Sequence, residues 1–196
     1  MTRKRCTGGV WMLKLVSPTP AYREQVLDYQ REFREAGEHA FGTSSLDSAQ
    51  TFEDWYQEVV NNSRQETVQP GLVPANQYLG VVEETGEVVG MLNLRHYLND
   101  SLLRFGGHIG YSVRKSQRRK GYAGALIRAV QEMLLSQGPV RLYAHVAKRN
   151  TPSLRTHSAC GFQKIQDSAV YIDGSADSRS VTLLFEYPKN ISNFGK

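Results

Sequence analysis

The segment HIGYSVRKSQRRKGYAGALIRAV, residues 108–130, decides how the rest of the chain is interpreted. Residues 108–115 are typical of a strand, and the apolar residues from Ala123 onward recur at the spacing of an amphipathic helix. Between the two, five cations fall within the seven residues 114–120 and are followed at once by Gly121. The segment therefore predicts a strand, a tight basic turn and a helix.

This turn has the properties of an anion-binding site. The start of a helix leaves about four backbone N–H groups unpaired, and the aligned peptide dipoles add positive potential there. Gly121, Ala123 and Gly124 carry little side-chain bulk, so a phosphate can approach the backbone closely. The pattern predicts a cradle for a diphosphate. The turn alone leaves open an ordinary glycine turn with a solvated basic surface.

Two other phosphate-binding classes are excluded by the same residues. No Ser or Thr follows a Gly-Lys pair, so the loop of nucleoside triphosphate hydrolases is absent from the sequence. The glycine spacing of dinucleotide-binding folds is absent as well.

Composition indicates one basic domain in a reducing compartment. The chain has 196 residues, a net charge of +5 and a pI of about 9.2, which favours anionic ligands. Its two cysteines make no disulfide framework, and the sequence shows neither a signal peptide nor a membrane span. We expect a cytoplasmic protein with a flexible basic arm at 1–10, one domain at 11–188 and a flexible tail at 189–196.

The remaining periodicities predict a mixed α/β domain with the order β-α-α-β-β-β-α-β-α-β-β. Helices are predicted near 22–36, 52–60, 123–134 and 150–160, with Thr51 and Asn150 as caps. Residues 99–107 are predicted to be a long connection. Strands are predicted near 12–18, 77–84, 87–98, 108–115, 140–147, 162–165 with 170–172, and 181–187.

Two motifs carry a resemblance to a known family. Arg118-x-x-Gly121-x-Ala123 after GYSV resembles the acyl-CoA signature of the GCN5-related N-acetyltransferases (GNAT). Asn150-x-x-Ser153, with a Gly-Phe pair at 161–162, resembles that family's second motif. The resemblance covers roughly residues 78–162. Residues 107–123 are similar to the same segment of an uncharacterised bacterial branch of the family. It implies a GNAT-like fold: a central mixed sheet of six to seven strands, about four flanking helices, and two parallel strands that splay apart at the cofactor site.

The resemblance also implies where acetyl-CoA would bind. Its pantetheine arm would pair with the exposed edge of residues 110–113, as an added strand would. The diphosphate would lie on the N–H groups from Arg119 to Gly124. Arg114 and Arg118 would either pair with phosphates or face water, and Ser153 would be either a cofactor contact or an ordinary helix residue. The implied cofactor-binding residues are Tyr111, Ser112, Val113, Arg114, Arg118, Arg119, Lys120, Gly121, Tyr122, Ala123, Gly124, Asn150 and Ser153.

The implied reaction moves an acetyl group from the thioester to a primary amine without a covalent enzyme intermediate. The amine must lose a proton before it attacks, and a free N–H on the splayed strand can stabilise the oxyanion. His108 stands where the family often has a carboxylate, so it is the candidate base; the alternative is a histidine that caps the strand. His157 stands where the family often has a tyrosine that protonates the thiolate. Either His157 has that role, or solvent does, or Tyr111 helps.

Other functions and partners are left open. The missing carboxylate and tyrosine suit a non-catalytic acyl-CoA sensor, and the cations at 114–120 suit a nucleic-acid binder, although only one aromatic, Tyr122, lies among them. His39, His96 and His145 lack metal-ligand spacing, so no metal is expected. The acceptor is a small-molecule or peptide amine, no nucleic-acid or membrane partner is expected, and a homodimer through the last strands is compatible with the sequence.

Overall fold

The computed structural model describes residues 12–169 and 179–188, which contain seven strands and five α-helices. Residues 1–10, 189–196 and 170–172, for which we predicted an arm, a tail and part of a strand, lie outside the described residues. The elements are β1 (Leu13–Val16), α1 (Arg23–Glu35), α2 (Phe52–Asn62), β2 (Ala75–Val82), β3 (Val88–Arg95), α3 (Asp100–Phe105), β4 (Ile109–Val113), α4 (Tyr122–Leu135), β5 (Val140–Ala147), α5 (Thr151–Ala159), β6 (Gln163–Ala169) and β7 (Arg179–Tyr187).

The mixed α/β fold class is confirmed, but the strands form two sheets rather than one. One sheet has the order β1-β2-β3-β4 and the other β5-β7-β6, and every strand pair within the described residues is antiparallel. The two neighbouring strands β4 and β5 meet through one isolated bridge, between Gly107 and Ala144. The predicted separation of these two strands is therefore present, and it divides the sheet in two.

Helices cover both faces of the four-stranded sheet. Helices α1 and α2 pack on the face that carries Leu79 and Met91, whereas α4 packs on the face that carries Leu92. Strand β3 is buried along nearly its whole length because both of its faces are covered. Strand β4 therefore has a different helical layer on each face, and each layer brings different side chains to it.

The predicted caps are confirmed. The Thr51 side chain accepts the Asp54 N–H over 3.1 Å at the start of α2, and the Asn150 side chain accepts the Ser153 N–H over 3.1 Å at the start of α5. Each cap satisfies one of the unpaired N–H groups of a first helical turn.

The prediction of an unstructured connection at 99–107 was wrong. Helix α3 lies there, and the Asn99 side chain caps it by accepting the Leu102 N–H over 3.0 Å. Six residues are too few to show a helical period in sequence, so only the cap signalled this helix. No helix within the described ranges is both long and apolar enough to cross a bilayer.

Candidate functional site

Strand β4 directs alternate backbone groups into the space between the two sheets. The Arg95 N–H donates to the His108 carbonyl over 2.8 Å at one end of the strand, and the Arg114 N–H donates to the Val89 carbonyl over 3.0 Å at the other. The register between these ends is continuous, so the even-numbered residues bond to β3. The N–H of Tyr111 consequently points away from β3, toward β5.

The turn after β4 leaves open space around Gly121. Arg119 and Gly121 both have left-handed backbones, with φ of 66° and 87°, and α4 begins at Tyr122. The Ala125 N–H donates to the Gly121 carbonyl as the first helical bond, so the N–H groups just before it have no partner within the helix. A Cβ built on Gly121 would meet nothing within 4 Å. The turn therefore has room for a phosphate against bare amides.

Two cations assigned to the cofactor have other partners. The Arg114 Nε donates to Glu32 of α1 over 2.7 Å, and the Arg118 guanidinium forms a two-pronged pair with Glu38 beyond the end of α1. The Arg118 Nε also donates to the Val113 carbonyl over 3.1 Å. In these contacts Arg114 is largely buried, whereas Arg118 is exposed and has a carboxylate as its partner. Both arginines tie the turn to α1.

Glu32 is the main anchor of this turn. Besides Arg114, it accepts the Ser116 N–H over 2.6 Å and the Ser116 hydroxyl over 3.2 Å. Partial burial alone would raise the pKa of Glu32, but these hydrogen bonds outweigh it and lower the pKa below the ordinary value. The carboxylate therefore holds both Arg114 and the backbone of the turn.

Tyr111 and α5 meet across the gap between the sheets. The Tyr111 hydroxyl lies 3.1 Å from the Ser153 Oγ, and the Ser153 Oγ lies 3.4 Å from the Nδ1 of His157. Burial raises the pKa of Tyr111 more than the bond to Ser153 lowers it, so the phenol keeps its proton. The three side chains form a chain of hydrogen bonds that ends at a protonated phenol.

His157 is placed differently from the acid that the family resemblance suggested. Its side chain is buried, 2% exposed, and its Nδ1 donates to the Ser153 carbonyl over 2.9 Å. The Nε2 then carries the lone pair, and no hydrogen-bond partner for this buried atom is present among the described residues. Burial lowers the pKa of His157, so the neutral ring has no proton to give from Nε2. In these contacts the neutral ring carries no proton at Nε2 that it could give to a thiolate.

His108 is also unsuited to its predicted role as the base. Its Nδ1 accepts the Tyr143 N–H over 3.0 Å, so the neutral ring carries its proton on Nε2. Burial, aided by the Arg95 cation, lowers the pKa of His108 to about 4. A proton taken up at Nδ1 would break the bond to Tyr143. The alternative left open by the sequence, a histidine that secures the start of the strand, fits this geometry.

The loop between α1 and α2 also contacts strand β4. The Phe41 carbonyl accepts the Ser112 hydroxyl over 2.7 Å, and Gly42 lies directly on β4, where a Cβ would come within 2.1 Å of the Gly110 carbonyl. Beside this crossing, His39 Nδ1 pairs with Asp47. These contacts join residues far apart in sequence, so no local pattern predicts them. The sequence feature closest to them is the glycine at position 42, whose φ is 72°.

The remaining residues that were predicted to bind the cofactor lie around the turn. Arg119 and Lys120 are exposed, and the Lys120 Nζ donates to Gln117 over 2.7 Å. Tyr122 is buried beneath the turn, whereas Ala123 and Gly124 form the first turn of α4. Within residues 12–169 and 179–188, no group of three or more His, Cys, Asp or Glu side chains is placed to hold a metal.

Comparisons with known proteins agree with this geometry. The Acetyltransferase (GNAT) family matches residues 26–162. A search of curated proteins found no match.

Solved structures share the fold at low sequence identity. The ribosomal-protein-S5-alanine acetyltransferase of Vibrio fischeri is 18% identical, with a TM-score of 0.65 over 90% of this chain and 93% of that one. RimJ of Mycobacterium smegmatis, solved with CoA-disulfide, is 17% identical, with a TM-score of 0.63 over 89% of this chain and 82% of that one. The spermidine/spermine N-acetyltransferase SpeG of Vibrio cholerae is 15% identical, with a TM-score of 0.61 over 92% and 97%. The family match spans more than half of the chain, and the chain belongs to the GNAT acetyltransferase family.

Proposed function

We propose that this protein is an N-acetyltransferase that transfers the acetyl group of acetyl-CoA to a primary amine. The observation that carries the proposal is the open turn at Gly121, which presents bare N–H groups beside a strand that has parted from its neighbour. Acetyl-CoA would supply the activated acyl group. The known proteins named above acetylate ribosomal proteins or polyamines, so a peptide amino terminus and a polyamine are the first acceptors to examine.

The cradle residues would hold the diphosphate through the backbone. The N–H groups from Arg119 to Gly124 would bind the phosphate oxygens, with the exposed cations of Arg119 and Lys120 beside them. Glu32 would keep the turn in shape through Arg114 rather than touch the ligand. This assignment removes Arg114 and Arg118 from the set of phosphate ligands.

Strand β4 would bind the pantetheine arm and stabilise the oxyanion. The N–H of Tyr111 points into the gap and is free to donate to the developing negative charge, which is typically worth about 3 kcal/mol. Asn150 caps α5 and so positions Ser153 opposite Tyr111.

Tyr111 would also protonate the departing thiolate. Its hydroxyl faces α5 in the gap, and its raised pKa keeps the phenol protonated, so the hydroxyl can donate to the sulfur as the C–S bond breaks. Ser153 orients the phenol, and His157 in turn contacts Ser153, so we assign His157 a positioning role. This arrangement replaces the tyrosine that the family often has on α5.

The test combines cofactor binding with turnover. Calorimetry with acetyl-CoA is followed by release of free thiol in the presence of spermidine or a peptide with an amino-terminal alanine. Thiol release that depends on the amine supports the proposal. The second candidate, an acyl-CoA sensor, is favoured by binding without turnover on either amine, and an absence of binding overturns both.

A matched pair of variants locates the binding site. Gly121→Ala places a methyl group in the cradle, and Gly86→Ala places one in the β2–β3 turn; both glycines have a positive φ and open space around them. Each variant should lose roughly 1 kcal/mol of stability to backbone strain. Only Gly121→Ala should weaken acetyl-CoA binding, by about tenfold or more, because only that methyl group stands where the phosphate would lie. Equal affinity in the two variants would place the site elsewhere.

A cytoplasmic location and a homodimer through the last strands stay predictions. Cell fractionation and analytical ultracentrifugation would test them. The nucleic-acid alternative loses support because Arg114 and Arg118 are paired within the fold. A mobility shift with duplex DNA at physiological salt would revive it.

A further inference from the structure

The proposed reaction requires a base for the incoming amine, and the structure holds a histidine–carboxylate pair that no sequence motif marked. The Nδ1 of His39 pairs with an oxygen of Asp47, so in the neutral ring Nδ1 is the donor and Nε2 carries the lone pair. A carboxylate that orients an imidazole in this way is a recurrent arrangement for general bases. The orientation is the reverse of that at His108, where Nδ1 is the acceptor.

The loop that carries this pair is held firmly by buried hydrogen bonds. The same carboxylate oxygen of Asp47 accepts the Ala40 N–H over 3.0 Å, and the Thr43 hydroxyl donates to the Ala40 carbonyl over 2.7 Å. The Trp55 indole donates to the Thr43 carbonyl over 2.6 Å, and Trp55 is fully buried. Although the His39 side chain is 62% exposed, the backbone beneath it is fixed on the protein core. The imidazole is therefore preorganised rather than a mobile surface group.

The same loop runs alongside β4. Residue 38, next to His39, pairs with Arg118 at the cofactor turn. Two residues after His39, the Phe41 carbonyl accepts the Ser112 hydroxyl, and the loop then crosses Gly110. Because consecutive Cα atoms are 3.8 Å apart, the Cα of His39 lies within about 8 Å of the Cα of Phe41. The loop that carries His39 is thus held beside the strand that would carry the thioester.

The two faces of β4 separate an acid from this base. Tyr111 projects toward α4 and α5, where it meets Ser153. Gly110 and Ser112 project to the opposite face, where Tyr29 of α1 donates to the Ser112 Oγ over 3.0 Å and the loop of His39 covers Gly110. An amine that attacks the thioester from the face opposite the cofactor would arrive on the side of His39.

A groove of about 280 Å³ opens beside His39, between α1 and the loop that follows it, and its size suits a small amine or the end of a peptide. Its lining residues are Gln30, Arg34, Gly37, Glu38, His39 and Asp47. The charged groups that face His39 are thus Asp47, Arg34 of α1 and Glu38, the last already paired with Arg118.

We infer that His39, oriented by Asp47, is the base that accepts a proton from the acceptor amine, and that the groove beside it admits this amine; the inference rests on the proposed function. The Nε2 of His39 takes a proton from the protonated amine, and the free amine nitrogen then forms its bond to the acyl carbon and releases its surplus proton to solvent. The C–S bond breaks, and the sulfur takes the Tyr111 proton. Both side chains then return to their starting states by exchange with solvent, so the charges and protons balance.

The first test measures turnover in three variants. His39→Gln should lower kcat/KM for spermidine or the alanine peptide by about 10²–10³-fold, while the Kd for acetyl-CoA stays within a factor of two. In His39→Ala, added imidazole should restore part of the acetylated product, measured by mass spectrometry because imidazole also reacts with thioesters. The matched control is His96→Gln, an exposed histidine after β3 whose ring pairs with Asn76. It should retain wild-type turnover and show no response to imidazole.

The second test locates the proton of the pair by spectroscopy and compares it with turnover in one further variant. Long-range ¹H–¹⁵N spectra should show His39 with its proton on Nδ1, and Asp47→Asn should abolish that preference and lower kcat about tenfold. A proton on Nε2 in the wild-type protein would overturn the inference. Wild-type turnover in His39→Gln with intact cofactor binding would overturn it as well. Failure of the proposed function has a different signature, because the wild-type protein itself would then bind no acetyl-CoA or release no thiol.

Discussion

The histidines of this protein have distinct roles because each ring nitrogen has a different partner. His108 accepts a backbone N–H at Nδ1, whereas His157 donates to a carbonyl from the same atom. His39 donates from Nδ1 to a carboxylate, and its side chain is largely exposed. Residue type alone would have made the three equivalent; the hydrogen bond of one nitrogen determines what the other can do.

Removal of the His108 ring should change the pH dependence of stability. The pKa of His108 falls from 6.5 to about 4 on folding, so between these values the unfolded chain binds more protons than the folded one. The free energy of unfolding therefore declines as pH falls from 6.5 toward 4. The contribution of His108 is on the order of 1–2 kcal/mol after allowance for the ring's partial exposure to solvent.

Urea unfolding at pH 7 and pH 5 measures this effect. His108→Gln should lose about 1–2 kcal/mol less than the wild-type protein between the two values, because glutamine does not titrate. His96→Gln is the control and should behave as wild type. An equal loss in His108→Gln and wild type would mean that this ring does not carry the effect.

Replacement of Tyr111 by phenylalanine should slow the chemical step without loss of the cofactor. Tyr111→Phe removes the proposed proton donor while it keeps the ring and the backbone N–H, so kcat should fall roughly 10–100-fold. The Kd for acetyl-CoA should change by less than about threefold. Tyr97→Phe, which removes an exposed hydroxyl bound to Gln65, should leave kcat unchanged. An unaltered kcat in Tyr111→Phe would assign the acid role to solvent.

At the scale of elements, helix α1 shapes the cofactor turn from a distance in sequence. Glu32 reaches the turn through Arg114 and Ser116, and Glu38 reaches it through Arg118. These contacts bridge 80 to 84 residues of chain. The basic turn is therefore held in position by carboxylates that no part of the motif contains.

Neutralisation of Glu32 should disturb the turn. Glu32→Gln leaves the largely buried Arg114 with only its longer carboxylate contact among the described residues, to Glu87 over 3.8 Å, which should cost about 1–3 kcal/mol of stability. Because the turn then loses its shape, the Kd for acetyl-CoA should rise about tenfold in calorimetry. Glu35→Gln, at an exposed position of the same helix, should change neither quantity. An unchanged Kd in Glu32→Gln would show that the turn keeps its shape without this contact.

At the scale of the whole molecule, the two sheets lie next to each other at β4 and β5, and a bound cofactor would bridge the gap between them. We call this gap the seam. The described strands β4 and β5 share one isolated bridge, and the Tyr111–Ser153 contact spans the gap beyond it. A ligand bound both to β4 and to the first turn of α4 adds contacts across this seam. Cofactor binding should therefore stabilise the entire fold.

Thermal unfolding with and without acetyl-CoA measures this stabilisation. At a ligand concentration 100 times the Kd, the expected gain is about 2.7 kcal/mol, which corresponds to a rise in Tm of roughly 5–10 °C for a chain of this size. Gly121→Ala should show a much smaller rise at the same concentration, whereas Gly86→Ala should match wild type. A Tm that acetyl-CoA does not change would contradict binding at the seam.

The sequence by itself determined the features that arise from neighbouring residues. The apolar stripe of α1, the caps at Thr51 and Asn150, and the open turn at Gly121 depend on interactions within a few residues, so their patterns are legible in the chain. These features were sufficient to predict the fold class and a family resemblance, which the family match at 26–162 then confirmed.

Only the tertiary structure decided which side chains meet. Arg118 and Glu38 are 80 residues apart, Tyr111 and Ser153 are 42 apart, and the His39–Asp47 pair lies beside a strand some 70 residues downstream. The nitrogen of an imidazole that carries the proton is set by the hydrogen-bond partner that the fold supplies. The fold also decides whether a guanidinium pairs with a phosphate or with a carboxylate. Folding brings those partners within hydrogen-bond distance, and the spacing of residues along the chain does not encode that contact.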